Sequence, residues 1–347
     1  MKKINHLLKI LLLPSMLITT ITSNSKAEKT VTDYHQLYVL GDSLSDTGSF
    51  VGAGSDFVQK SPLAPLWVAQ VELGDPYYLN RSFSNGKVAA EILANKLHLN
   101  LQAGWKYTIL NDAATYEQFG NNYAVGGAVA AENDSWTGEF YSNRFSLQHQ
   151  MAALLSQHQN LQSDDLVFLE SGNNDMLAAI DSGNYYKGLD IIYNAIIKEG
   201  DIIQELINKG IQHIVATDVP DFSLVPKYYG TKSQVLAKQL SDAYKTLWNH
   251  EISLYTNNYP NFIRRFSLRE ELSKYALIFQ QEGKNITQNA IESDYAHMAL
   301  DGAVTATYVN GSTKETLNNY FFFDEVHPTT LVHQAFAEDL YNLVEKW

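Results

Sequence analysis

The chain has 347 residues, is 45% hydrophobic and carries a net charge of −13, so it is long and apolar enough for a large α/β core and gives no sign of wholesale disorder. A balance this acidic argues against nucleic acid as a partner and against general attraction to anionic lipid, leaving local apolar contact as the route to any transient membrane-surface binding. The absence of cysteine excludes disulfides, a thiol nucleophile and thiolate metal sites.

Residues 1–27 stand apart. Lys2 and Lys3 make a short basic start, Leu7 to Ile21 is mainly apolar but broken by Lys9 and Pro14, and Ser25-Lys26-Ala27 places small residues where a signal peptidase reads. The pattern predicts a leader cut before Glu28, too short and interrupted to serve as a stable anchor. Its removal deletes four lysines and no acids, taking the charge from −13 to −17. A cysteine-free exported chain fits a secreted or periplasmic bacterial protein. No later segment is long and apolar enough to span a bilayer.

Residues 28–347 contain no repeat and no low-complexity linker, and read as a single domain. Short apolar runs predict five strands: Leu37–Leu40, Asn122–Val125, Leu166–Leu169, His213–Thr217 and Phe262–Phe266. Apolar residues at helical spacing predict helices over Val88–Leu97, Leu147–Leu155, Ile191–Ile207, Gln234–Tyr255 and Thr330–Val344. Alternation of the two types predicts a three-layer α/β/α sandwich around a parallel sheet of about five strands. Residues 269–323 carry weaker strand signals and read as an insertion near the site, with the character of a lid. Its apolar and aromatic residues (Tyr275, Leu277, Ile278, Phe279, Met298, Leu300 and Tyr308) are expected to line an apolar groove.

Four short blocks carry the chemistry: Gly41-Asp42-Ser43-Leu44-Ser45-Asp46-Thr47-Gly48, Asn122-Tyr123-Ala124-Val125-Gly126-Gly127-Ala128, Gly172-Asn173-Asn174-Asp175 and Asp324-Glu325-Val326-His327-Pro328. Ser43, Gly127 and Asn174 each fall just after a predicted strand, where ligands sit in open α/β sheets. Ester cleavage needs a nucleophile, a base, an orienter for that base and donors for the oxyanion. Ser43 offers the hydroxyl, and His327 a base with Asp324 three residues before it to hold the imidazole. His333 is close enough in sequence to be a decoy. Ser43 could alternatively cap a helix, and Asn174 could be an ordinary turn residue.

These blocks, in this order over roughly residues 36–345, resemble those of the GDSL or SGNH hydrolase family. The resemblance is nearest to its secreted bacterial branch of phospholipases A, lysophospholipases and thermolabile-haemolysin-like enzymes. Asn80–Val88 resembles the stretch before that family's first long helix, and Phe321-Phe322-Phe323 the aromatic strand leading to the histidine block. The likeness implies a flavodoxin-like fold, a Ser43–His327–Asp324 triad and an oxyanion hole made by the N–H groups of Ser43 and Gly127 with the Asn174 side chain. Gly127 is preferred to Gly126 because the family pattern counts five residues on from Asn122. Glu170 departs from the pattern, which has an apolar or aromatic residue there, and is a candidate for altering substrate preference.

The expected activity is therefore hydrolysis of lipid carboxylic esters, with lysophospholipid or phospholipid as substrate. No cofactor or metal is expected, since the triad supplies the nucleophile and no His-Glu-x-x-His pattern is present. Alternatives on the same fold are a carbohydrate or short-chain acetylesterase and a glycerophospholipid–cholesterol acyltransferase. An inactive binding protein is the non-enzymatic alternative. An α/β-hydrolase is disfavoured because the chain has no Gly-x-Ser-x-Gly elbow. The oligomeric state is not written in the sequence.

Overall fold

The computed structural model describes residues 33–60, 70–104, 106–107, 114–115, 119–135, 142–295 and 302–347, which fall in one compact unit. The expected leader, with Met298 and Leu300, lies outside the described residues.

Four strands form the central sheet: β1 (Leu37–Gly41), β2 (Leu166–Glu170), β3 (His213–Thr217) and β4 (Ile263–Phe266). They pair in the order β1-β2-β3-β4 and every pairing is parallel. All five residues of β1 and of β2 are buried. Continuous burial is what a strand covered on both faces shows, and it explains why Leu-Tyr-Val-Leu and Leu-Val-Phe-Leu read as unbroken apolar runs.

The fifth expected strand, Asn122–Val125, is not regular. Residues 121–125 do run beside β1: Val39 N–H donates to Asn121 O, Tyr123 N–H to Val39 O and Val125 N–H to Gly41 O. Toward β1 a single bridge of strand geometry forms, Val39 to Asn122, and on the other side Asn122 bridges Ala103. The Asn122 side chain breaks the rest, because its Oδ1 accepts the N–H of Ala124 at 3.1 Å and bends the segment locally. Counted second in chain order, this segment gives the order 2-1-3-4-5, the flavodoxin-like arrangement, with its switch point between β1 and β2.

Two groups of helices flank the sheet. One contains α3 (Leu147–Gln157), α4 (Asn173–Asp181), α5 (Tyr185–Asn208) and α6 (Gln234–Asn258). The other contains α2 (Ala89–Lys96), α7 (Leu268–Gln281) and α8 (Thr330–Val344), with α8 packed on α2 and α7. α1 (Ser49–Lys60) follows β1. Within 269–323 lie most of α7, then β5 (Asn285–Asn289), β6 (Ile291–Asp294) and β7 (Ala303–Tyr308), and finally β8 (Tyr320–Phe322). β6 and β7 pair antiparallel, and β8 pairs with β5. Among the described residues no helix is long and apolar enough to cross a membrane.

Candidate active site

β1 ends at Gly41 and β2 at Glu170; the turn beyond β1 carries Ser43, and the first turn of α4, just beyond β2, carries Asn174. Both side chains therefore stand at the carboxyl end of the sheet, at the switch point. The turn after β2 needs glycine at position 172. Its φ is +91°, and a Cβ there would lie 2.3 Å from the Tyr244 hydroxyl oxygen. This glycine starts α4 and directs Asn174 outward.

Ser43, His327 and Asp324 form one hydrogen-bonded row. Ser43 Oγ lies 2.7 Å from His327 Nε2, and His327 Nδ1 lies 2.7 and 2.9 Å from the two Asp324 oxygens. A carboxylate only accepts, so Nδ1 carries the proton and Nε2 is left as the base facing the serine hydroxyl. Asp324 Oδ1 also accepts the N–H groups of Val326 and His327, which winds the loop so that the histidine reaches back to Ser43. Burial alone would push the Asp324 carboxyl up. The facing His327 and these hydrogen bonds outweigh it and hold the group below its ordinary value.

His333 sits one turn into α8 and is buried. Its Nδ1 accepts the N–H of Ala89 at 3.2 Å, and burial pushes its pKa down to about 3. It is a neutral packing residue with no access to Ser43.

The donors around the serine are sorted by what already occupies them. Asp46 Oδ2 accepts the N–H of Gly126 at 2.8 Å, while Asp175 accepts those of Ala130 and Ala131 at 2.7 and 3.2 Å. The N–H of Gly127 lies between these anchored amides and has no hydrogen-bond partner among the described residues; nor has that of Ser43. Asn174 Nδ2 donates to Ala128 O at 2.8 Å, which spends one of its two hydrogens. Its neighbour Asn173 is committed inward, to Asp42 and Glu170.

Asp46 has a second task. Its carboxylate accepts the N–H groups of Gly48, Ser49 and Phe50 at 2.7–2.9 Å and so closes the start of α1. Burial pushes Asp46 up to about 6 and Asp175 up to about 7. Neither role is legible from the sequence. The only hint is an acid lodged between a buried strand and an apolar helix. Phe83 is the other unforeseen neighbour: its ring packs 5.1 Å from the His327 ring at a tilt of 31°.

Ser43, Gly127, Asn174 and His327 share the wall of a cavity of about 1030 Å³. Its apolar wall comes from Leu177, Ile191, Phe222, Val225, Leu272 and Phe336. The 269–323 stretch does contribute to it, through Leu272, Tyr295, Phe321 and Phe322, but not through those expected among the described residues. Tyr275, Leu277, Ile278, Phe279 and Tyr308 do not line it. α7 turns Leu268 and Leu272, four residues apart, toward the cavity, which leaves Leu277 and Ile278 exposed. Phe279 packs edge-on against Phe321, and Tyr275 donates to Asp339. Glu170 does not reach the cavity wall either and is buried beneath it.

The family model for "GDSL-like Lipase/Acylhydrolase" matches residues 37–340. The chain is 25% identical to a phosphatidylcholine-sterol acyltransferase of Aeromonas hydrophila over 90% of both chains. It is 24% identical to the secreted effector protein SseJ of Salmonella typhimurium over 88% of its own length and 62% of that protein's. A solved phospholipase A1 from Streptomyces albidoflavus NA297 aligns with 90% of this chain and 99% of its own, at 16% identity and a TM-score of 0.40.

Proposed function

The chain belongs to the GDSL-like lipase/acylhydrolase family, and from that premise we propose that it is an exported serine esterase acting on phospholipid and lysophospholipid. One observation carries the reading: Ser43 Oγ stands 2.7 Å from His327 Nε2 on the wall of a cavity lined by apolar side chains.

Ser43 Oγ attacks the acyl carbon and passes its proton to His327 Nε2. Asp324 stabilises the imidazolium and keeps its orientation. The N–H groups of Ser43 and Gly127 and the free amide hydrogen of Asn174 receive the oxyanion. His327 then protonates the leaving alcohol, and water, activated by the same nitrogen, releases the acid. An alcohol in place of water would make the same machine an acyltransferase. The similarity to the Aeromonas acyltransferase over 90% of both chains favours keeping that second reading.

Each buried methylene is worth about 0.8 kcal/mol, so an apolar acyl site should raise kcat/KM as the chain lengthens until the cavity is full. Rates on p-nitrophenyl esters from acetyl to palmitoyl, below their critical micelle concentrations, test this. Lysophospholipid and diacyl phospholipid, each with and without cholesterol, separate hydrolysis from transfer. A maximum at acetyl with no phospholipid turnover would replace the lipid reading with a short-chain or carbohydrate esterase. Export is tested by N-terminal sequencing of protein recovered outside the cytoplasm, which should begin at Glu28.

A further inference from the structure

The serine turn and the asparagine turn are joined by a buried acid that no step of the reaction uses. Glu170 ends β2 directly opposite Gly41, the last residue of β1. Its Oε2 accepts a hydrogen bond from Ser45 Oγ at 3.0 Å, and its Oε1 accepts one from Asn173 Nδ2 at 2.6 Å. The same Asn173 amide donates to Asp42 Oδ2 at 3.1 Å, while Asp42 Oδ1 accepts the N–H of Leu44 at 3.1 Å. Asp42 and Ser45 bracket Ser43, and Asn173 adjoins Asn174. One carboxyl thus grips both turns. The joint has no slack, since a Cβ at position 41 would lie 2.2 Å from the Glu170 carbonyl oxygen and 3.2 Å from its Oε2.

Burying a carboxyl beside a second carboxyl is costly, and an apolar side chain would fill the space more cheaply. Burial, with Asp42 beside it, pushes Glu170 well above the usual carboxylate range. Glu170 is buried and absent from the cavity wall, so it does not meet a substrate as a base. What it contributes is its pair of contacts.

We propose that Glu170 is a positioning residue that fixes the separation of Ser43 and Asn174 by holding Ser45 on one turn and Asn173 on the other. The inference rests on the reading of Ser43 as nucleophile and Asn174 as oxyanion donor. A misplacement of about 1 Å in such a site costs about 10²-fold in rate.

The test compares Glu170→Ala, Glu170→Gln, Ser45→Ala and Ser43→Ala on one soluble p-nitrophenyl ester. Glu170→Ala should lower kcat by about 10²-fold with KM nearly unchanged. Glu170→Gln keeps an acceptor for Asn173 and a polar partner for Ser45, and should restore most of kcat. Ser45→Ala removes one grip and should lower kcat by less. Wild-type kcat in Glu170→Ala overturns the proposal, as does a Gln variant as slow as the Ala variant. If Glu170→Ala does not fold, Ser45→Ala decides, and full kcat there overturns it. Activity surviving in Ser43→Ala would instead sink the nucleophile reading, whereas an inactive Ser43→Ala beside an unimpaired Glu170→Ala sinks the positioning role alone.

Discussion

The loop 324–328 and the first turns of α8 each bury a histidine, only six residues apart, and treat it in opposite ways. The loop gives His327 a carboxylate on one nitrogen and a hydroxyl on the other. The helix gives His333 a single backbone N–H to accept and leaves its Nε2 buried without a partner among the described residues. A carboxylate partner fixes the first ring with one nitrogen turned to the hydroxyl. Burial without such a partner holds the second ring neutral. The sequence offered both histidines, and what separates them is the acid three residues before the first.

The comparison breaks most sharply at its reactive side. Ser43→Ala and His327→Ala should each cut kcat/KM by about 10⁴-fold or more, and the double variant should be little worse than either, because members of one catalytic unit are not additive. Steady-state rates and labelling by a fluorophosphonate probe measure this. Asp324→Asn should lower kcat by about 10³–10⁴-fold, through loss of the tautomer-fixing acceptor and of charge stabilisation, with a normal circular dichroism spectrum. Asn174→Ala should lower kcat by about 10²–10³-fold with little change in KM. A raised KM with normal kcat would make Asn174 a binding residue.

The other side of the comparison predicts a stability effect without a catalytic one. His333→Ala should leave kcat close to wild type while costing about 1–3 kcal/mol in denaturant unfolding, since it orphans the Ala89 N–H. A dead but fully folded His333→Ala would mean that both histidines serve the reaction.

The smallest effect sharpens the contrast with pH. Asp42, Asp46 and Asp218 are pushed up to about 6, and Asp175 to about 7, all chiefly by burial. Between about pH 4, where unfolded carboxyls titrate, and pH 7 the native state binds more protons than the unfolded one. Stability therefore falls as pH rises through that window. Asp324 has the opposite sign, and its contribution is lost as pH falls below the ordinary carboxylate range. Melting temperatures should be highest in mild acid and decline toward pH 8. A rise over the same range would contradict the burial argument.

The elements with one strong periodicity are legible in the sequence. His213–Thr217 and Thr330–Val344 match the expected bounds, and the other regular strands and the expected helices differ mainly at their ends. Asn122–Val125 was misread as regular because apolar content does not reveal that the Asn122 side chain competes for the backbone. The blocks exposed Ser43 and His327 because both need rare neighbours in fixed spacing. The roles of Asp46, Asp175 and Glu170 are not legible in the sequence: an acid's burial depends on which distant amides close over it, here Gly126 for Asp46 and Ala130 for Asp175. The cavity wall was misplaced for a similar reason. Helical spacing marks an apolar face, but packing decides whether that face meets a cavity or the sheet.

The capping of α1 by Asp46 bears on the field that a bound substrate meets. A helix start usually presents partial positive charge to an incoming anion. Here a carboxylate already saturates those amides within the protein, so α1 has little attraction left for a phosphate or for the developing oxyanion. In the proposed reaction, negative charge at Ser43 is met instead by the separate N–H groups of Ser43, Gly127 and Asn174. Selection by such a site depends on where the charge forms, and hardly at all on how much charge the ligand brings.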